Sequence, residues 1–166
     1  MKEEQFRILK VMNEATNRMD INMFAEAVNL SPNQAMVKVQ ELANEGFLHK
    51  VGAGFGLTGK GKKSIKAFAT VSEELGFKFY VDVDKPLGFS AYSLADFYRS
   101  VKQVTSDSVE FHLYRGDLEN WLREVLKDED LAIAVGKLKA DELKGEDLRK
   151  SLLKAIETKY GVEELL

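Results

Sequence analysis

The stretch from Ser31 to Lys63, SPNQAMVKVQELANEGFLHKVGAGFGLTGKGKK, constrains the fold more than any other. Ser31 is a strong N-cap residue, and Pro32 falls at the first helical position, where its missing N–H costs nothing. Gln34 lies three residues after Ser31 and completes a capping box. Ala35, Met36, Val39, Leu42 and Ala43 then share one face at helical spacing, so the pattern predicts a helix over 31–45 with these five buried. Gly46 stands where a left-handed residue stops a helix. Phe47 to Val51 is short and β-forming. Gly52, Gly54, Gly56 and Gly59 follow, with Leu57-Thr58 as a returning strand. Such a helix, ribbon and second helix are too small to bury a core alone and need partners before them.

The preceding residues supply those partners. Ile8, Val11, Met12 and Ala15 make an i, i+3, i+4, i+7 stripe, with Phe6 beside it, and predict a helix from Glu3 to about Asn17. Asp20 is the expected N-cap of a second helix carrying Ile21, Phe24, Ala25 and Val28. Met19 and Phe24 are placed as a hydrophobic staple. Asn29-Leu30 is the tight turn into Ser31. Two short helices so close together, followed by a ribbon, are the helix-turn-helix pattern.

The run L-x-x-x-G-F-L from Leu42 to Leu48, the glycine-rich tip, and L-T-G-K-G from Leu57 to Gly61 resemble the winged helix-turn-helix of small archaeal and bacterial transcription regulators. The resemblance implies a recognition helix, a two-stranded wing and a following helix within residues 1–75. It also implies double-stranded DNA as partner. On that reading the outward face of the 31–45 helix presents Asn33, Gln34, Val37, Lys38 and Glu41 to the major groove. Asn and Gln can bond adenine, and Lys can reach guanine or phosphate. Lys60, Lys62, Lys63 and Lys66, with Lys50, are candidate phosphate contacts. Glu41 and the wing tip, which lacks Arg and Lys, favour instead a protein-binding module. Phe55 is expected to fold back on the wing.

Residues 1–70 hold 10 Lys and Arg against 7 Asp and Glu, whereas residues 71–166 hold 14 against 20. A basic first part and an acidic second part fit nucleic acid at one end and another partner at the other. The absence of cysteine excludes disulfides and thiolate metal sites. No apolar signal-peptide core and no run near the ~18 residues of a membrane span occur, so the expectation is a cytoplasmic chain without membrane attachment.

Residues 76–166 read as a mostly helical domain, making the whole chain mainly α with a minor β part (α+β). The 58–76 segment keeps helical spacing through Ile65, Phe68, Ala69, Ser72 and Leu75, with Thr58 as cap. Phe77 to Val83 alternates strictly and predicts a strand, followed by a turn at Pro86 and Gly88. Ser93 caps a helix bearing Leu94, Phe97, Tyr98, Val101 and Val104. In 106–115, Val109, Phe111 and Leu113 alternate like a strand, but Asp107 and Glu110 make a capping-box spacing, and the helix is preferred. Further helices carry Leu118, Trp121 and Leu122, then Leu131, Val135 and Leu138, then Leu148, Leu152, Ile156 and Tyr160. The acidic run Asp128-Glu129-Asp130 suits the first turn of a helix.

The order S-x-x-x-H-x-x-R-x-D-x-x-x-W, from Ser108 through His112, Arg115 and Asp117 to Trp121, is similar to a helical domain of unknown function in archaeal and bacterial proteins. That likeness carries no activity with it. The four residues His112, Arg115, Asp117 and Trp121 are a candidate site for an anionic ligand or a partner. The plainer assignment has Asp117 capping its helix, Trp121 in the core and Arg115 paired with an acid. No nucleophile–base–acid set emerges, so the chain is not read as an enzyme. Two histidines in different parts of the chain do not make a metal site. Gly54 to Gly59 spells G-x-G-x-x-G, and Gly54 to Lys60 spells G-x-x-x-x-G-K. Neither has the required setting: no parallel strand follows the first, and Gly61 replaces the Ser or Thr of the second, so no cofactor is expected. The leading reading is a homodimeric DNA-binding transcription regulator. Its second domain dimerises, senses a ligand or recruits a partner.

Overall fold

A computed structural model describes residues 1–15 and 20–166. Among them are nine α-helices and two small antiparallel sheets of two strands each. Residue contacts divide the chain into Met1–Lys66 and Ala67–Leu166. This division lies earlier than the 75/76 boundary expected from sequence. Ala67 is fully buried in the second core, Phe68 packs against that core, and the Val71 N–H donates to Tyr92 O at 2.8 Å.

The first unit runs α1 (Glu3–Glu14), α2 (Ile21–Ala27), α3 (Pro32–Asn44), β1 (Leu48–Val51), β2 (Gly54–Leu57) and most of α4 (Gly59–Phe68). The expected end of α1 near Asn17 and the Met19 staple lie outside the described residues. Asp20 caps α2 by accepting from the Asn22 and Met23 amides at 2.8 and 2.9 Å. Leu30 N–H returns to Ala25 O while Asn29 takes φ +56°, which makes the tight turn into α3. The Ser31 capping box forms in both directions, with Gln34 N–H on Ser31 Oγ at 3.3 Å and Ser31 N–H on Gln34 Oε1 at 3.0 Å. Ala35, Val39 and Leu42 are buried, but Met36 is 46% exposed and drops out of the expected stripe. Gly46, at φ +80°, closes α3 with Phe47 N–H on Leu42 O.

The returning strand begins at Gly54, three residues before the expected Leu57-Thr58, and ends at Leu57. β2 pairs Gly54 with Val51 and Leu57 with Leu48, and Thr58 is freed to start α4. Thr58 Oγ1 accepts from the Gly61 amide at 3.0 Å and lies 2.7 and 3.0 Å from the Gly46 and Phe47 carbonyl oxygens. A Cβ at Gly61 would collide with the Phe47 carbonyl and meet a Leu57 methyl at 3.0 Å. Gly61→Ala is therefore expected to lose about 1–2 kcal/mol, overpacking outweighing the helix propensity gained. Gly59→Ala, with open space around it, is the control and should be neutral or gain up to about 1 kcal/mol by urea denaturation. Equal effects at both positions would remove the close approach as the reason for Gly61.

The second unit builds a hairpin of β3 (Phe77–Asp82) and β4 (Lys85–Ala91) on five helices: α5 (Leu94–Gln103), α6 (Ser106–Arg115), α7 (Asp117–Glu124), α8 (Glu129–Lys137) and α9 (Gly145–Tyr160). α4 stops at Phe68, and the stretch to Leu75 holds only a 3-10 turn, Glu73–Leu75, where Leu75 is 52% exposed. Pro86 and Gly88 lie inside β4 and not in a turn. The turn is Val83-Asp84, with Asp84 at φ +60°. β4 accepts proline because the register shifts on both sides of the Tyr80–Pro86 pair, and Gly88 takes φ +74° in that irregular stretch. β3 thus pairs within the chain. The 106–115 segment is the helix preferred over a strand.

One apolar core fills this unit. Phe77, Phe79, Phe97 and Trp121 meet with ring centroids 4.9–5.6 Å apart. Leu113, Leu118, Leu122, Leu131, Leu148, Leu152 and Ile156 surround them, all within 1% of full burial. Ser93 caps α5 through the Asp96 amide at 3.1 Å. The other end of α5 is closed from α9, where Arg149 donates to the Val101 and Val104 carbonyls.

Candidate functional site

The outward face of α3 is exposed at Asn33, Gln34, Met36, Val37, Gln40 and Glu41. Its side chains are not equally free. Gln34 spends its Oε1 on the capping box and retains only its amide hydrogens. Lys38 lies 3.0 Å from Glu41 and 3.5 Å from Glu4. The hydrogen bond and charge of Glu41, joined by Glu4, hold its ammonium above the usual lysine value. Lys38 thus meets a ligand already neutralised. Asn33 and Val37 face solvent, and Val37 is 55% exposed.

Lys60 also has work inside the fold. Its Nζ donates to Glu45 O at 3.1 Å and sits 4.6 Å over the Phe47 ring, so it closes the C-terminal carbonyl end of α3. Thr58, Lys60 and Gly61 all grip the Glu45–Phe47 turn, and the L-T-G-K-G run is a clasp. Lys50, Lys62 and Lys63 are exposed, and none has an ion pair among the described residues. Phe55 does not merely fold on the ribbon. It is half-buried and shares a depression with Met12, Phe24, Met36 and Val39. The six-residue glycine pattern falls on β2 and its exit. Both sheets being antiparallel pairs, no βαβ unit exists there among the described residues.

His112, Arg115, Asp117 and Trp121 do come together at the corner between α6 and α7. His112 is 4% exposed, and both of its nitrogens are used. Nε2 accepts from the Tyr80 amide at 2.8 Å, which makes it the unprotonated nitrogen; Nδ1 therefore carries the hydrogen and donates to Asp117 Oδ2 at 2.8 Å. One turn earlier, the fully buried Ser108 donates from Oγ to Tyr80 O at 2.7 Å. Side chains four apart on α6 thus satisfy both backbone groups of one irregular strand residue. Arg115 Nε pairs with Asp117 Oδ2 at 3.3 Å, and its guanidinium lies 4.8 Å from the Phe111 ring centroid. Trp121 Nε1 donates to Leu75 O at 2.8 Å.

Burial is the main force on the His112 ring and lowers its pKa; Asp117 opposes this and Arg115 adds to it. Ser108, His112 and Asp117 do not form a catalytic triad, since Ser108 and the histidine Nε2 address Tyr80 and not each other. Asp117 is not the expected cap. Gly116, at φ +83°, precedes the helix, and the Asp117 carboxylate is committed to His112 and Arg115. Beside the cluster lies a depression of about 390 Å³, bordered by Lys78, Tyr80, Asp82, Asp84, Phe111 and Arg115.

Sequence reasoning missed a second polar cluster. Asp128, 5% exposed, caps α8 through the Leu131 amide at 3.1 Å and accepts from Lys159 Nζ and Tyr160 Oη of α9. The acidic first turn was legible, but the 31 residues separating Asp128 from Lys159 hide the partnership. Among the described residues no group of three or more His, Asp or Glu could hold a metal ion, and no helix is long and apolar enough to cross a membrane. The chain matches no protein-family model, no curated protein and no solved structure.

Proposed function

We propose that the first unit, Met1–Lys66, acts as a winged helix-turn-helix that binds double-stranded DNA, within a transcription regulator whose second unit, Ala67–Leu166, dimerises or binds a ligand or partner. The observation that carries this is the exposed outer face of α3 in a helix–helix–helix–ribbon–helix order. Asn33 and Val37 would meet base edges, Asn33 by hydrogen bonds and Val37 by apolar contact. Lys50, Lys62 and Lys63 supply unpaired charge for phosphates, whereas Lys38 and Lys60 contribute less because the fold already engages them. A homodimer would set two α3 helices on half-sites one DNA turn apart.

A second reading has a specific observation behind it. Met36 and Val37 are 46% and 55% exposed on α3, and Lys38 is flanked by two acids. Apolar side chains with neutralised charge suit a protein partner. Fluorescence anisotropy with random-sequence duplex DNA across a salt series separates the two. DNA binding predicts an affinity that falls steeply with salt. Lys62→Glu/Lys63→Glu should weaken it and reduce the log–log salt slope by about 2. No binding at low salt sinks the DNA reading and leaves the protein-binding one.

A further inference from the structure

We infer that Ser108 and His112 form a proton-operated latch on the β3–β4 hairpin, closed while His112 is neutral and opened when its ring takes a second proton. The latch is built at Tyr80, where the strand register shifts and the backbone groups turn from the ladder toward α6. Ser108 holds the carbonyl at 2.7 Å and His112 holds the amide at 2.8 Å. The first bond is indifferent to acid. The second exists only while Nε2 offers a lone pair. A proton on Nε2 sets N–H against N–H at hydrogen-bond distance, and the amide loses its only acceptor on that side. The ring has nowhere to turn: Phe77 and Phe111 pack around it with centroids 4.9 and 5.1 Å away, and Nδ1 is held by Asp117.

The groups that face the ring set where the latch opens. From α7, Asp117 favours the second proton. From α6, Arg115 opposes it, and Glu110 is turned away to accept from the Gly145 amide at the start of α9. From the hairpin, Lys78 and Asp84 border the neighbouring depression, with Asp82 paired to Lys85 at 3.1 Å. Release would free the Tyr80 amide on the outer edge of β3 and widen that depression, exposing a donor of the kind an added strand pairs with, while Ser108 keeps the carbonyl. The folded ring resists protonation relative to the free side chain, so the unfolded chain binds the extra proton first. The latch is then at full strength above the ordinary histidine value of 6.5 and weakens as the pH falls from there toward the lower folded value.

The test is NMR on the intact chain with ¹⁵N labelling, from neutral pH down to about 5, within the range where histidine titrates. Long-range ¹H–¹⁵N spectra report which ring nitrogen carries hydrogen, and amide exchange, normalised to its intrinsic rate, reports Tyr80. The latch predicts an unprotonated Nε2 at neutral pH. It also predicts that Tyr80 protection falls as His112 titrates, by up to about tenfold for each pH unit by which the folded ring lies below its free value. Asp117→Asn should move the midpoint to lower pH, and the exposed Arg115→Gln should move it to higher pH. A ring protonated on Nε2 at neutral pH would overturn the inference. So would Tyr80 protection that stays constant through the His112 titration, or midpoints that the Arg115 change leaves in place.

Discussion

Trp121→Ala is expected to destabilise the protein by about 3–5 kcal/mol, the range for emptying a large aromatic site in a packed core. Trp121 is 7% exposed, and its ring meets Phe77 and Phe97 at 5.5 and 5.4 Å. Removing it opens a void under β3 that leucines on α7 cannot fill, because Leu118 and Leu122 are already buried elsewhere in the same core. Trp121→Phe separates packing from hydrogen bonding. It keeps most of the ring but leaves Leu75 O without its 2.8 Å donor. Leu75 is 52% exposed, so water can replace the donor, and the cost should be only about 1–2 kcal/mol. Urea denaturation followed by far-ultraviolet circular dichroism measures both, since Trp121 is the one tryptophan and fluorescence would be lost with it. A cost for Trp121→Ala no larger than that of the phenylalanine variant would mean that the aromatic cluster does not depend on the indole.

The contrast between the chain's two conspicuous motifs shows how far sequence reaches. In L-T-G-K-G, the order of residue types places a helix start correctly at Thr58, because capping is a local matter of one oxygen and one amide. The basic character of Lys60 suggests phosphate, yet its Nζ caps α3 from 15 residues away. Charge in a sequence does not say which charge is already engaged. Lys38 makes the same point, since Glu41 is local and visible but Glu4 arrives from α1. In the S-x-x-x-H-x-x-R-x-D-x-x-x-W run, i, i+4 spacing shows that Ser108 and His112 share a face of α6. It does not show that the face meets a strand edge, because the irregular register at Tyr80 comes from hairpin pairing that local spacing cannot encode. The β4 strand was missed for a related reason. Pro86 and Gly88 read as turn residues, and only the shifted register lets a strand tolerate them.

Polar groups within the C-terminal core carry more of its architecture than the apolar pattern suggests. His112 joins α6 to β3 and α7, Arg149 joins α9 to the end of α5, and Asp128 joins α8 to α9. Among the described residues no buried side-chain nitrogen or oxygen lacks a hydrogen-bond partner. In such a network, removing one member costs more than the bond it made, since its partners stay behind in a poorly solvated place.

Asp128, with three such partners, is expected to show the largest polar effect. Asp128→Ala removes the cap of α8, worth about 0.5–2 kcal/mol. It also leaves Tyr160, 6% exposed, with a hydroxyl whose acceptor is gone. Lys159 retains Asp130 at 3.5 Å and is 30% exposed, which limits its share. The total should be about 3 kcal/mol, at the lower end for breaking a buried charged pair. Asp128→Asn, which keeps the oxygen and the shape but not the charge, should cost less. Burial alone would raise the Asp128 carboxyl, but Lys159, Tyr160 and the Leu131 amide together outweigh it and hold the group below its ordinary value of 3.8. Above that value the carboxylate contributes fully, and its contribution is lost as acid protonates it in the folded state. The stability gap between the native chain and Asp128→Ala, measured by urea denaturation, should therefore be widest near neutral pH and narrow as the pH falls below the ordinary carboxyl value of 3.8. His112 titrates alike in both chains and cancels from the difference. A gap that stays constant across this range would show that the cap and the packing of α9 matter and that the charge of Asp128 does not.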